Sequence, residues 1–295
     1  MGLSLVLIHL GLVMAAAALR YGGRHARFVT PTGGDHGMWP VLIGAGLVAA
    51  GLLLARADLR QRRRRVSTVA WAETLLVFAS LLGLAWAVLP SKPRDLGWLD
   101  WTALAGWLAM TLAIFARHRL DVHDLRRRLL RRPKWPGPLA VWTLLLCVVT
   151  IAGGLGLAMM IHGPIRVRWD KLAVSLATYP LYALAQMGLF LVFLVPRLRR
   201  MGLEPVERVG MAACLFALLH WPNGPLMVAT LVGGAVWAGF YVLKRTHLVW
   251  LAISMGLLAS CFARFVPHTF GQNMRVGPLY VERALEWDTH GPGPP

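Results

Sequence analysis

Apolar residues in this chain fall in long runs separated by short polar stretches. Most runs hold roughly 17–24 residues, the length that a helix needs to cross about 30 Å of hydrocarbon. The runs predict nine membrane spans, near residues 3–19, 38–56, 69–89, 98–116, 139–161, 172–195, 207–220, 225–243 and 247–264. The predicted fold class is therefore all-α, a polytopic transmembrane helix bundle of about nine spans. The first run is interpreted as a retained span rather than a signal peptide, because it lacks a basic n-region and Arg20 follows it directly.

Composition and charge agree with a membrane protein. Hydrophobic residues make up 57% of the chain and charged residues only 15%, whereas a soluble domain carries about 25% charge. The net charge of +18 would suit a nucleic-acid binder in a soluble protein. Here the Arg residues lie in the short loops between apolar runs, which is the positive-inside pattern. The predicted partner is thus the lipid bilayer, and no nucleic acid is expected.

The distribution of basic residues predicts the orientation. The even-numbered loops hold twenty Lys and Arg residues, many of them in the stretches 56–65 and 117–134, and the odd-numbered loops hold eight. Cytoplasmic loops carry the excess of positive charge. The N-terminus and the even loops are therefore predicted to face the cytoplasm, in what we expect to be a bacterial inner membrane.

The chain divides into three predicted parts. Residues 1–135 form N-terminal transmembrane helices with basic cytoplasmic loops, and residues 136–266 form a second transmembrane core that holds most of the intramembrane polar groups. Residues 267–295 form a polar tail that ends in a Gly- and Pro-rich stretch and is expected to be partly disordered. The three cysteines lie inside apolar runs, without spacing that would predict a disulfide or a thiolate zinc site.

Polar residues in the second part follow a recognisable order. Gln186 lies beyond Pro180 in the sixth predicted span, and the seventh ends in Phe216-x-x-x-His220 with Asn223 in the turn that follows. With its basic end after Pro196, the stretch from about 172 to 264 resembles the CPBP family of CAAX-protease and bacteriocin-processing membrane proteins, also called ABI. The resemblance covers about a third of the chain and implies an intramembrane endopeptidase core.

The family's own motifs are Glu-Glu-x-x-x-Arg, Phe-x-x-x-His and a third His. In this chain the resemblance places Gln186 and Met187 at the two Glu positions, Leu191 at the Arg position and Met255 at the third His position. Only His220 keeps an ionisable residue. The implied catalytic set is a degenerate one, His220, Gln186 and Asn223.

This set lacks the groups that hydrolysis by the family's route requires. A carboxylate takes the proton from water in such a mechanism, and an amide such as Gln186 cannot replace it. Zinc needs about three nitrogen, oxygen or sulfur ligands from the protein, and His220 supplies one. The sequence therefore predicts no metal and no cofactor. We also expect Gln186, His220 and Met255 to converge, with His220 bonded to a carbonyl or to Gln186.

Three functions fit these residues. The first is a diverged CPBP-type protein, catalytically impaired, that binds a membrane segment, a lipid or a partner protein in the former active-site cavity. The second is an active intramembrane metallo- or glutamate-type endopeptidase with relocated groups, for which the candidates are Glu73, His162, His247 and Tyr182. The third is a lipid or small-solute transporter, which the scarcity of intramembrane charge and the lack of inverted repeats disfavour.

Overall fold

The structure is a computed structural model, and it describes residues 68–87, 98–117, 134–162, 169–221 and 223–266, together with the isolated helical residues 7, 8, 11, 48, 49 and 52. Most of the first two predicted spans, residues 118–133 of the basic loop and the predicted tail 267–295 lie outside the described residues. All regular structure in the described ranges is helical.

Each apolar run from the third onward forms a helix. The helices are α1 (Thr68–Ala87), α2 (Trp98–Arg117), α3 (Gly137–His162), α4 (Trp169–Met187), a π-helical segment (Gly188–Leu194), α5 (Val195–Arg200), α6 (Pro205–Leu218), α7 (Gly224–Val242) and α8 (Leu248–Phe265). The all-α class is therefore confirmed for the described part of the chain. Most of these helices end near the ends of the apolar runs, where water and polar side chains satisfy the free backbone groups, whereas the stretch that begins at Trp169 continues to Arg200.

Four stretches are long and apolar enough to cross a membrane: Gly137–Met160, Trp169–Arg200, Gly224–Val242 and Leu248–Phe265. Shorter apolar helices cover Thr68–Leu81 and Trp101–Ile114. The prediction of about nine spans is thus confirmed only for these four, although a helix also covers the seventh predicted span, 207–220.

Local sequence signals set several helix starts. Pro205 occupies the first turn of α6, and Glu204 and Glu207 form a reciprocal capping box, with the Glu204 backbone N–H donating to Glu207 Oε2 at 2.8 Å. Asn223 caps α7 by accepting from the Leu226 N–H at 3.1 Å. His247 caps α8 in the same manner, accepting from the Val249 N–H at 3.3 Å.

Contacts between helices establish their relative directions. Trp135, just before α3, packs against Trp250 in α8 with ring centroids 5.8 Å apart. Near the other ends of these helices, a Cβ added at Gly154 would lie 2.6 Å from the Phe265 carbonyl oxygen, so α3 and α8 run parallel. In contrast, α4 runs antiparallel to α8, because the α8 residue Gly256 lies against Pro180 and the later residue Arg264 lies against the earlier Ser175.

These directions define two ends of the bundle. The basic end holds the side chains that follow α4 and α7: Arg197, Arg199, Arg200, Lys244 and Arg245. The distal end holds the start of α4, the turn between α6 and α7, and the last turn of α8. Loops six and eight therefore meet at one end, as the alternation of basic loops predicts.

A single hydrophobic cluster, the central cluster, joins most of the described helices. It contains buried side chains from α1 and from every described element from α3 to α8. One ion pair also crosses the predicted boundary at residue 135. Arg197 Nε donates to Glu73 Oε2 at 3.2 Å, with the Arg side chain fully buried and the Glu side chain 9% exposed.

That ion pair corrects one part of the sequence interpretation. Arg197 follows the predicted span 172–195 and so falls in a predicted basic loop, but the helical stretch that begins at Trp169 continues to Arg200 and carries Arg197 into the protein interior. The Arg197 guanidinium lies 3.6 Å from the Phe193 ring centroid, and Nη1 donates to the Phe193 carbonyl oxygen at 2.7 Å. Burial of the charge is possible because these contacts and Glu73 replace water.

Candidate functional site

The positions that match the family's first motif lie where α4 changes geometry. Met187 is the last residue of α4, and Leu191 lies within the π-helical segment that follows. Both side chains are buried and belong to the central cluster. A π-helical turn inside a membrane helix often marks a functional site, but here its side chains supply hydrocarbon rather than charge.

Met255 occupies the third-motif position on α8 and is also buried in the central cluster. Its neighbour Ser254 accepts a hydrogen bond from Trp237 Nε1 at 3.0 Å and shares one with the Thr143 hydroxyl at 2.5 Å. The Thr143 hydroxyl in turn donates to the Leu139 carbonyl oxygen. These bonds hold α3, α7 and α8 together beside Met255, so this position faces the protein rather than lipid.

His220 lies in the turn after α6. Its Nδ1 donates to the Phe216 carbonyl oxygen at 2.7 Å, and its ring contacts the Phe216 ring edge-on with centroids 4.9 Å apart. The expectation that His220 bonds a carbonyl is therefore confirmed. With Nδ1 occupied as a donor, the neutral ring has its lone pair on Nε2.

Phe216 connects the His220 ring to the central cluster. Its ring centroid lies 4.6 Å from that of Phe190 and 6.3 Å from that of Trp237. Gly234 allows this packing, because a Cβ there would lie 3.3 Å from the Phe216 ring. The Phe-x-x-x-His motif is thus anchored by aromatic packing among α6, α7 and the π-helical segment.

The other two predicted site residues differ in their surroundings. Asn223 is fully buried, and its side-chain oxygen caps α7, a role that its residue type favours. Gln186 is half-buried one turn before Phe190. The convergence of Gln186, His220 and Met255 stays a prediction, although Met255 and the Phe216 partner of His220 share the central cluster.

The candidate substitutes for the missing groups are dispersed. The Glu73 carboxylate is bonded to Arg197 at the basic end, whereas His220 lies about 20 Å along α6 from that end, at 1.5 Å per residue. His247 caps α8, also near the basic end, and Tyr182 is an exposed side chain on α4. The His162 side chain lies outside the described residues.

The donor set does not fit a metal. Among residues 68–87, 98–117, 134–162, 169–221 and 223–266, no three His, Cys, Asp or Glu side chains lie close enough to share an ion. At the motif positions the available atoms are one imidazole nitrogen, an amide and thioethers. Thioethers suit soft ions such as Cu(I) and are poor ligands for zinc.

Sequence reasoning overlooked two pairs of residues in this region. The Glu73–Arg197 pair joins residues 124 positions apart, and no local pattern signals such a pairing. Arg264 is the second case, because it is the last residue of the predicted span 247–264. The structure places it against Ser175 of α4, with Nη2 2.8 Å from the Ser hydroxyl oxygen.

Comparison with known families agrees with the motif reading. Residues 168–261 match the family described as Type II CAAX prenyl endopeptidase Rce1-like. The match spans about a third of the chain and includes the first- and third-motif positions and the Phe-x-x-x-His pair. It confirms the resemblance to CPBP and CAAX-type intramembrane peptidases. No curated protein and no solved structure is found to match the chain.

Proposed function

We propose that this Rce1-like membrane protein has lost peptide hydrolysis and uses its family-like region to hold a prenylated or otherwise hydrophobic membrane-embedded segment. One observation carries the proposal. Three of the positions that match charged or ionisable catalytic residues, those of Met187, Leu191 and Met255, are apolar and buried in one hydrophobic cluster. Apolar side chains that contribute packing occupy these positions instead of reactive groups.

Loss of hydrolysis follows from proton and charge accounting. Water attack on an amide needs an acceptor for the proton and stabilisation of the developing oxyanion. The Gln186 amide cannot accept a proton at neutral pH, and the side chains of Met187 and Leu191 donate no hydrogen bond. Loss of a general base alone lowers the rate by about 10²–10⁴.

Relocated catalytic groups are a weaker explanation. A working site would need a carboxylate beside the His220 imidazole, but the Glu73 carboxylate is bonded to Arg197 near the opposite end of α6. An acid used in this way is neutralised by its partner and stabilises the helix contact. No described observation favours transport of a solute.

Retained binding is supported by what the fold preserves. The Phe216–His220 pair, the capped turn at Asn223 and the helices around them remain packed, although the reactive side chains have gone. An apolar pocket wall does not lower the affinity for a hydrocarbon ligand, but it cannot carry out acid–base chemistry. The expected ligand is therefore a hydrophobic chain or a helix segment rather than a polar peptide.

A binding and cleavage assay tests both parts of the proposal. The purified protein in lipid nanodiscs is incubated with a fluorescent farnesylated peptide that ends in a CAAX sequence and with the same peptide lacking the farnesyl group. We expect saturable binding of the farnesylated peptide only, and no shortened product by mass spectrometry. Release of the last three residues that disappears in His220→Ala, or stoichiometric zinc by elemental analysis, would favour the relocated-site endopeptidase.

A restored variant adds a second test. Gln186→Glu combined with Met255→His returns an acid and an imidazole to matched positions. If only the reactive groups have been lost, the double variant gains cleavage that neither single variant shows. Gln186→Asn with Met255→Leu serves as the matched control, because it changes the same positions without adding an ionisable group.

A further inference from the structure

Arg264 is a cation held in place at the distal end of the bundle. It lies in the last turn of α8, half-buried, and both Nε and Nη2 donate to the Ser175 hydroxyl oxygen, at 3.1 and 2.8 Å. The Ser175 hydroxyl donates to the Lys171 carbonyl oxygen at 2.8 Å. The guanidinium is therefore oriented by α4 rather than extended freely from α8.

Among the described residues Arg264 has no carboxylate partner. The ion pair between Arg197 and Glu73 lies at the other end of the bundle. Asp170 lies on the first turn of α4, but its position is five residues from Ser175, about 140° around the helix. A neutral hydroxyl is a weak partner for a guanidinium, which can make five N–H bonds and pairs best with planar oxyanions.

A second cation and one amphipathic ring lie on the same face of α4 as Ser175. Lys171 is exposed one turn before Ser175, and Tyr179 follows one turn after it. Tyr179 lies near enough to Arg264 to interact electrostatically. Trp169, at the start of α4, is 67% exposed. A Trp ring at a helix end, such as Trp169, favours the headgroup layer of a bilayer.

We propose that the distal end binds the phosphate of an anionic phospholipid between α4 and α8, with Arg264 as the principal contact and Lys171 as the second cation. Its acyl chains would lie along the exposed apolar face of α4, which includes Leu181 and Val174. This lipid site is separate from the central cluster. It goes beyond the proposed loss of hydrolysis and does not depend on it.

A cation near the C-terminus of α8 would also stabilise the helix dipole, and one substitution separates the two roles. Arg264→Lys keeps the positive charge at the helix end but loses the planar fork of donors. If Arg264 serves only the dipole, the Lys variant retains lipid like the unmodified protein. If it binds phosphate in the bidentate manner, the Lys variant loses most of the preference.

Native mass spectrometry of the detergent-purified full chain measures the preference directly. The probes are dioleoyl phosphatidylglycerol and dioleoyl phosphatidylcholine, which carry the same chains and differ in net charge. We expect preferential retention of phosphatidylglycerol by the unmodified protein. The preference should fall about tenfold in Arg264→Gln, since a charge-assisted bond contributes at least the 1.4 kcal/mol that equals a factor of ten.

Controls make each outcome decisive. Lys244→Gln removes an exposed cation at the basic end and should leave the preference unchanged. Ser175→Ala keeps every charge but releases the guanidinium, so it should also weaken the preference and replaces Arg264→Gln if that variant does not fold. Equal retention of the two lipids by the unmodified protein, or an equal loss in Lys244→Gln, would overturn the lipid site. Thermal-shift measurements with phosphatidylglycerol and with inorganic phosphate alone distinguish a lipid from free phosphate. An Arg264-dependent shift with phosphate as large as that with the lipid would also overturn the lipid assignment.

Discussion

The buried pair of Glu73 and Arg197 gives the sharpest stability prediction. Glu73→Gln leaves the Arg197 charge fully buried, with the Phe193 carbonyl and ring among its remaining contacts. Removing one partner of a buried pair costs about 3–5 kcal/mol, because an uncompensated charge stays in a medium of low dielectric. We expect the free energy of unfolding to fall by about 3 kcal/mol, at the low end of that range, since the Phe193 contacts remain.

The second change in this double-mutant cycle removes the Arg197 charge itself. Arg197→Met alone removes the guanidinium that bonds the Glu73 carboxylate and should cost a similar amount. The double variant, Glu73→Gln with Arg197→Met, removes both charges of this pair and should be destabilised by clearly less than the sum of the two single changes. Arg199→Met is the matched control, because Arg199 is exposed two residues away and surface changes of this kind cost about 0.5 kcal/mol or less.

Unfolding in detergent micelles, titrated with sodium dodecyl sulfate and followed by circular dichroism, measures these differences. Additive effects of the two single changes would refute the reasoning, because independent residues show no coupling energy. A loss below about 1 kcal/mol in Glu73→Gln would also refute it, since that magnitude is typical of exposed ion pairs.

Three further results are expected. Gly256→Leu should destabilise the protein by about 4 kcal/mol in the same unfolding assay, more than the 1–3 kcal/mol that is typical of overpacking, because a Cβ there would lie 2.7 Å from Pro180 backbone atoms. Gly239→Ala should be tolerated, because a Cβ at Gly239 would have nothing within 4 Å. His220→Ala should lower the melting temperature through loss of the Phe216 carbonyl bond, by an amount corresponding to about 1 kcal/mol, and a variant that melts like the unmodified protein would contradict the structural role. A cysteine introduced beside Arg63 should resist membrane-impermeant labelling in intact cells, and its labelling would reverse the orientation.

Much of the helical architecture could be predicted from the sequence, because span length depends only on the number of consecutive apolar residues. The run 139–161 predicted α3 to within two residues at its start and one at its end. The prediction failed at Arg197, since Arg-Leu-Arg-Arg looks like a solvated loop until the partner on α1 is known. The π-helical segment was equally hidden, because a continuous apolar stretch shows no period from which helix geometry could be inferred.

The candidate site could likewise be predicted only in part from the sequence. The Phe-x-x-x-His spacing indicated the motif, and a four-residue separation on a helix places Phe216 and His220 on one face. That Met187 and Met255 share one hydrophobic cluster could be seen only in the structure, since the two residues are far apart in sequence. The role of Asn223 could have been predicted, because Asn before a Pro-containing helix start is a strong capping signal.

The π-helical segment also gives this membrane helix a tolerance to changes in length. An α-helix turns about 100° per residue, so deleting one residue from α4 would swing everything beyond it by that angle and direct the Arg197 charge away from Glu73. A π-helical turn holds one residue more than an α-turn. A deletion inside Gly188–Leu194 can therefore be absorbed by tightening that turn, leaving the two flanking helices in phase. Changes in length can accordingly accumulate at this segment without breaking the contact that joins α1 to α5.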